Sequence, residues 1–264
     1  MNERFEGIVL FKRKYREHDA LVKIFTNDFG TRMFFVKRLE TPNHPLASQL
    51  VPLTINDYIG TINLDGLSFL KEASTEAFNR KVQEDFMAQA YAAYVSQLVD
   101  AAVDDNVSNK KLYETFKLAL QQMNLGKAPE VITAYMEIYL LPDFGTHIQW
   151  QQCVVCGSSQ QPFDFSLRKQ GVLCQQHFQE DDFRLRISPR AMYVASILAK
   201  AELTQIQSVN VSAETLINIR RLMDEIYQEF VGLRLRSKSY LDQMLEANQT
   251  MSALLDKRKS TDDK

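Results

Sequence analysis

FEGIVLFKR (residues 5–13), ALVKIFT (20–26) and TRMFFVKRL (31–39) are runs rich in β-branched and aromatic residues, and between them the chain turns polar. That alternation of apolar run and polar break reads as consecutive strands. Asn27-Asp28-Phe29-Gly30 joins the second run to the third with residues suited to a tight reversal. Beyond a loop holding Pro42 and Pro45, PLTINDYIGT (52–61) and GLSFLKEA (66–73) add two more runs. Five short strands in succession predict a small barrel, and the OB-fold is the five-stranded candidate.

Outward from that stretch, the period changes after Asn79. Val82, Phe86, Ala90, Ala93 and Tyr94 recur three and four apart, which predicts one helix through VQEDFMAQAYAAYVSQLVDAAV (82–103). Ser108 is placed to cap a second helix, Pro129 to open a third that Pro142 ends, and Ser188-Pro189 and Ser212 to start two more. The expected organisation is an α+β multi-domain protein: an OB-fold barrel over 1–79, a helical bundle in two parts over 80–145 and 183–250, a metal-binding insertion over 146–182, and a polar, disordered tail over 251–264.

The 264 residues are 45% hydrophobic, enough for at least one full core. No apolar stretch of signal-peptide length follows the charged start MNERFEGIVLFKRKYR, and no run approaches the roughly 20 residues of a spanning helix, so a cytoplasmic address without membrane contact is expected. The chain carries 31 basic and 33 acidic residues, yet residues 1–38 hold nine cations against five acids. The run Lys12-Arg13-Lys14-Tyr15-Arg16, with Phe11 beside it, interleaves cations and rings, a pattern that grips phosphates while bases stack. A solvated strand edge blunted by lysines explains the same run.

All three cysteines fall within Cys153–Cys174, and with His177 they read Cys-x2-Cys-x17-Cys-x2-His. Two ligands two residues apart share a metal from one tight knuckle, and a second such pair completes a tetrahedron. The set predicts one zinc ion held by Cys153, Cys156, Cys174 and His177. Three thiolates and an imidazole leave no position for water, so the metal is read as structural, a staple for a segment with little core of its own. A zinc deaminase would need His-x-Glu and Pro-Cys-x-x-Cys, but His147 is followed by Ile148-Gln149, and Gln152 precedes Cys153. Gly126-Lys127 has Gln121 where a P-loop needs glycine. Glu17-His18-Asp19 is read as a polar turn and His44 as a loop residue. No catalytic constellation emerges.

Taken together these residues resemble the bacterial RecO family of recombination mediators. The N-terminal likeness lies in Glu6-Gly7-Ile8-Val9-Leu10, Tyr15, Glu17, Asp19, Leu21-Val22, Phe25-Thr26 and Gly30. Leu50 and Pro52-Leu53 continue it, as do Phe144-Gly145, Cys153-x2-Cys156-Gly157, Phe165-Ser166, Gly171-Val172-Leu173-Cys174, Ile187-Ser188-Pro189 and Leu235-Arg236-Ser237-Lys238. The resemblance implies a protein that is not an enzyme. It would bind single- and double-stranded DNA, anneal complementary strands, and work with RecR to load RecA onto DNA coated by single-stranded-DNA-binding protein (SSB), whose C-terminal tail would dock on the helical domain. Lys12, Arg13, Lys14, Arg16, Lys37 and Arg38 are the expected DNA contacts. Two departures stand out: Lys37 is followed by Arg38-Leu39-Glu40 rather than by glycine and further cations, and His177 stands where many relatives place cysteine. The competing reading is a zinc-stapled protein-interaction adaptor without direct DNA contact.

Overall fold

All five expected strands form: β1 (Asn2–Tyr15), β2 (Asp19–Thr26), β3 (Gly30–Val36), β4 (Ile55–Thr61) and β5 (Ser68–Ala77). In the computed structural model, which describes residues 2–63, 65–206 and 211–262 and gives the backbone alone at residue 249 and from residue 251 on, they close in the order β1-β2-β3-β5-β4. Neighbours are antiparallel except β3 and β5, which run parallel through Phe34↔Ser68 and Phe35↔Phe69. This is the OB-type barrel the sequence predicts. Phe5 and Val9 of β1, Ala20, Val22 and Ile24 of β2, Phe34 and Val36 of β3, and Tyr58 of β4 pack together as its interior. Their spacing of two along β2 and β3 is the strand period, which sends the alternate residues outward.

The helices are α1 (Arg80–Glu84), α2 (Phe86–Ala102), α3 (Lys110–Asn124), α4 (Pro129–Leu140), α5 (Pro189–Leu198), α6 (Ala213–Ile226) and α7 (Arg236–Asp262). Three expectations are corrected. The single helix predicted over 82–103 is broken at Asp85, whose extended backbone frees its carboxylate to accept the N–H groups of Met87 and Ala88 and so to cap α2. Asn109, not Ser108, caps α3, its side chain accepting from Leu112 N–H. Helix α7 runs through residues 251–262, read from sequence as tail; Ala253, Leu254, Leu255, Lys257 and Arg258 are good helix formers, which favours helix there over a disordered tail. The remaining tail residues, 263–264, lie outside the described residues. The starts at Pro129, Ser188-Pro189 and Ser212 stand as predicted.

The barrel keeps its own interior, but its helix-facing side joins the core of the helices. Ile8, Leu10 and Phe25, on the side of the barrel turned toward the helices, belong to one apolar cluster with Leu98, Tyr113 and Phe116 of α2 and α3. The same cluster continues into Phe165, Leu173 and Ile226. The insertion, read from sequence as a segment with little core of its own, shares the core of the bundle. Gly30 marks how closely the two parts approach: at φ +69° it lies under the Val107 carbonyl oxygen, which an added Cβ would meet at 2.2 Å.

Charged groups also cross this junction. Lys117 Nζ lies 2.8 Å from Glu6 Oε2 and 2.9 Å from Glu76 Oε2, and Tyr113 Oη donates to Glu6 Oε1 at 2.6 Å. Burial opposes ionisation of Glu6, but Lys117 and Tyr113 outweigh it and lower its pKa. Lys117→Met would leave two carboxylates facing each other at a half-buried site. It is expected to cost about 2 kcal/mol, the worth of hydrogen bonds to charged groups. Urea unfolding at neutral pH measures this, and a wild-type midpoint would show that the clamp adds nothing.

Candidate metal centre and nucleic-acid face

The candidate metal-binding segment is a hairpin, β6 (Phe163–Ser166) and β7 (Gly171–Cys174), preceded by the Cys153–Gly157 turn and followed by a 3-10 turn, Gln175–Glu180. In the first turn Gly157 N–H donates to Cys153 O and Cys153 N–H to Ser158 O, both at 2.8 Å. Gly157 sits at φ +70°, a left-handed conformation that glycine adopts without the steric penalty of a side chain. Val154 N–H donates to Val172 O at 2.9 Å, pinning this turn beside β7. Cys174 ends β7, and one 3-10 turn brings His177 back beside it.

The four predicted ligands converge. Their donor atoms all lie within 4.8 Å of one another. Cys156 Sγ and Cys174 Sγ are 3.8 Å apart, Cys153 Sγ and His177 Nδ1 3.8 Å, and Cys174 Sγ and His177 Nδ1 3.2 Å. Donors held about 2.0–2.3 Å from one tetrahedral centre stand roughly 3.5–3.8 Å apart, so the set fits a four-coordinate metal. Burial resists ionisation of Cys153, yet the backbone amides of Cys174, Cys156 and Val155 prevail and bring its thiol down to about 6, toward the thiolate that ligates.

Residues that sequence reading passed over hold the exit from this hairpin. Buried Asp164 accepts the N–H groups of Ile187 and Arg186 and pairs with Arg184 Nε at 3.0 Å; Asp181 accepts from Ser166 Oγ and Phe183 N–H. Their only sequence signal was two acids in a segment otherwise read for cysteines. These bonds tie the hairpin to the start of α5.

The six predicted DNA contacts gather at one end of the barrel. Lys12, Arg13, Lys14 and Arg16 occupy the exposed end of β1 and its turn, and Lys37 and Arg38 the turn after β3. The register Lys14↔Ala20↔Val36 brings the two groups to the same end. Lys12 Nζ pairs with Glu40 Oε1 at 3.1 Å, and Arg38 N–H donates to the Asp19 carboxylate at 2.8 Å. Phe11, expected as a stacking ring, is instead half-buried against the core shared with the helices, because β1 shifts register between Val9 and Phe11. Two rings not singled out from sequence, Phe35 and Phe69, border the basic end. Glu17 and His18 form a turn and His44 a loop, where its Nδ1 accepts Leu46 N–H, as read.

The fold is a closed OB-type barrel with a basic end, built onto a helical body that carries a Cys3His cluster able to hold a metal ion. Residues 1–78 match the family model for the recombination protein O N terminal region, and residues 83–239 that for its C terminal region. The DNA repair protein RecO of Enterococcus faecalis is 40% identical over 239 residues, covering 90% of this chain and 91% of that protein. The RecO proteins of Lactiplantibacillus plantarum and of Lactococcus lactis (strain IL1403) are each 37% identical, covering 92% and 90% of this chain and 95% and 94% of theirs. The chain belongs to the RecO family of DNA repair and recombination proteins. Among the described residues no helix is long and apolar enough to cross a membrane.

Proposed function

We propose that this protein anneals complementary DNA strands and helps load RecA onto SSB-coated single strands, working with RecR in the cytoplasm at the nucleoid. One observation carries the reading: in a RecO-family chain of near-neutral net charge, six cations are concentrated at one end of the barrel. Two strands repel through their phosphates, and cations that neutralise both lower the cost of bringing them together; base pairing supplies the rest. The helical body offers the surface for the SSB C-terminal tail. One zinc ion held by Cys153, Cys156, Cys174 and His177 is assigned to structure, since the four donors fill its shell. No residue is assigned a catalytic step.

The test mixes complementary strands coated with SSB, adds the full chain without ATP, and follows duplex formation. Annealing supports the proposal; binding to SSB without annealing assigns the protein to the adaptor class instead. Exchanging Lys12, Arg13, Lys14 and Arg16 together for Gln is expected to weaken single-strand binding about a hundredfold at moderate salt. The same exchange should flatten the slope of log affinity against log salt by about 2 to 3, fewer than four full contacts because Lys12 already faces Glu40. An unchanged slope would place the DNA contacts elsewhere.

A further inference from the structure

The outward side of the barrel is divided between two uses. With Ala20, Val22 and Ile24 inside, Leu21, Lys23 and Phe25 of β2 face out. The helical body covers one half: Phe25 meets Tyr113 edge-on at 5.5 Å, and Lys23 Nζ pairs with Asp100 and Asp105 at 2.6 and 2.8 Å. Toward the basic end, the strand register lines up Arg13, Leu21, Phe35 and Phe69 in one row across β1, β2, β3 and β5. Tyr15 stands beside that row. Phe35 is half-buried and meets Tyr15 at 6.1 Å and 87° on one side and Phe69 at 6.2 Å and 80° on the other. It wedges apart two rings that stay open to solvent, Tyr15 at 37% and Phe69 at 46% exposure. The Arg16 guanidinium lies 5.3 Å from the Tyr15 ring centroid.

We infer that this half-face binds single-stranded nucleic acid by stacking unpaired bases on Tyr15 and Phe69, with Phe35 as the residue that positions them. The inference rests on the DNA-binding reading above and deepens it. Charge and shape select the occupant: flat apolar faces among Arg13, Arg16 and Lys37 complement a polyanion whose bases are splayed out. A duplex keeps its bases stacked on one another and offers only phosphates to such a surface, so the rings add nothing to duplex binding. The face therefore favours strands before they pair and loses its grip once they have paired, which lets an annealed product leave.

The experiment uses the full chain with an oligothymidylate strand and with a blunt duplex of equal length. Tyr15→Ala combined with Phe69→Ala is expected to weaken strand binding at least about tenfold. Duplex binding should change by less than about twofold, and the salt slope of strand binding, set by phosphates rather than rings, should stay unchanged. Phe69→Trp is expected to retain binding and to have its emission quenched by the strand; the single native tryptophan, Trp150, is buried and supplies a steady background. Equal loss on strand and duplex, no loss on either, or an unquenched tryptophan overturns the inference. So does unchanged strand binding with lost binding of SSB, which hands the face to a protein. If the wild-type chain binds neither probe, it is the DNA-binding reading that fails.

Discussion

Cys174→Ser is expected to abolish metal retention and to destabilise the helical body by several kcal/mol. Structural zinc sites contribute binding free energies of about 10–16 kcal/mol, which folding draws on wherever the ligands come together only in the folded chain. Here the ligands come from two turns on either side of a hairpin, and nothing but the fold unites them. Because Phe165 and Leu173 lie in the same apolar cluster as α2, α3 and α6, loosening the hairpin opens the bundle's core as well. Metal content and thermal melting, with and without a chelator, measure both consequences. A metal-free variant that melts with wild type would remove the staple from the account. A still-folded variant that had lost DNA binding would instead turn the knuckle into a contact surface.

The second large effect concerns a carboxylic acid in the middle of the bundle. Glu137 of α4 is buried, its Oε1 accepts from Tyr94 Oη at 2.7 Å, and its backbone carbonyl accepts from Tyr227 Oη at 2.8 Å. Burial pushes its pKa from 4.5 up to about 7, against the opposing pull of Tyr94 and Lys238 and with the help of Asp224 and Asp242. Between those two values the folded chain holds a proton that the unfolded chain has released, so stability falls as pH rises through the window. At 1.36 kcal/mol per unit, the loss amounts to about 3 kcal/mol by pH 8. Glu137→Gln keeps an acceptor for Tyr94 and cannot ionise. Relative to wild type it should therefore gain about 3 kcal/mol between pH 4.5 and pH 8, whatever constant cost the amide brings. Urea titrations of both proteins across that range decide it; parallel curves would mean that Glu137 does not titrate in the window.

The barrel was legible because its strands alternate and its turns are marked, and the convergence of Cys153, Cys156, Cys174 and His177 because their paired spacing encodes a knuckle directly. Less legible was whatever depends on partners far along the chain. In VQEDFM the apolar period continues across Asp85, and only the fold reveals that this carboxylate ends one helix and caps the next. Phe11 looked like a stacking ring because a bulge cannot be read from composition; one shift of register turned it toward the helices. The clue to Phe35 was present in TRMFFVK, where both faces of a strand are apolar, but only its pairing with Phe69 and Tyr15 shows what the outer face presents. The clamp of Glu6, Lys117 and Glu76 had no local signal at all.

The junction between barrel and helices also sets a hazard during synthesis. A nascent chain that has emerged as far as Asn79 already holds all five strands and a barrel interior, yet Ile8, Leu10 and Phe25 await a cover made by α2 and α3. Glu6 waits longer, for Tyr113 and Lys117, 107 and 111 positions downstream. At translation rates of about 5–20 residues per second, that sticky surface stands open for a few seconds on every ribosome. Slow codons between residues 80 and 124 would lengthen the exposure, and a chaperone that engages growing chains would find its site there.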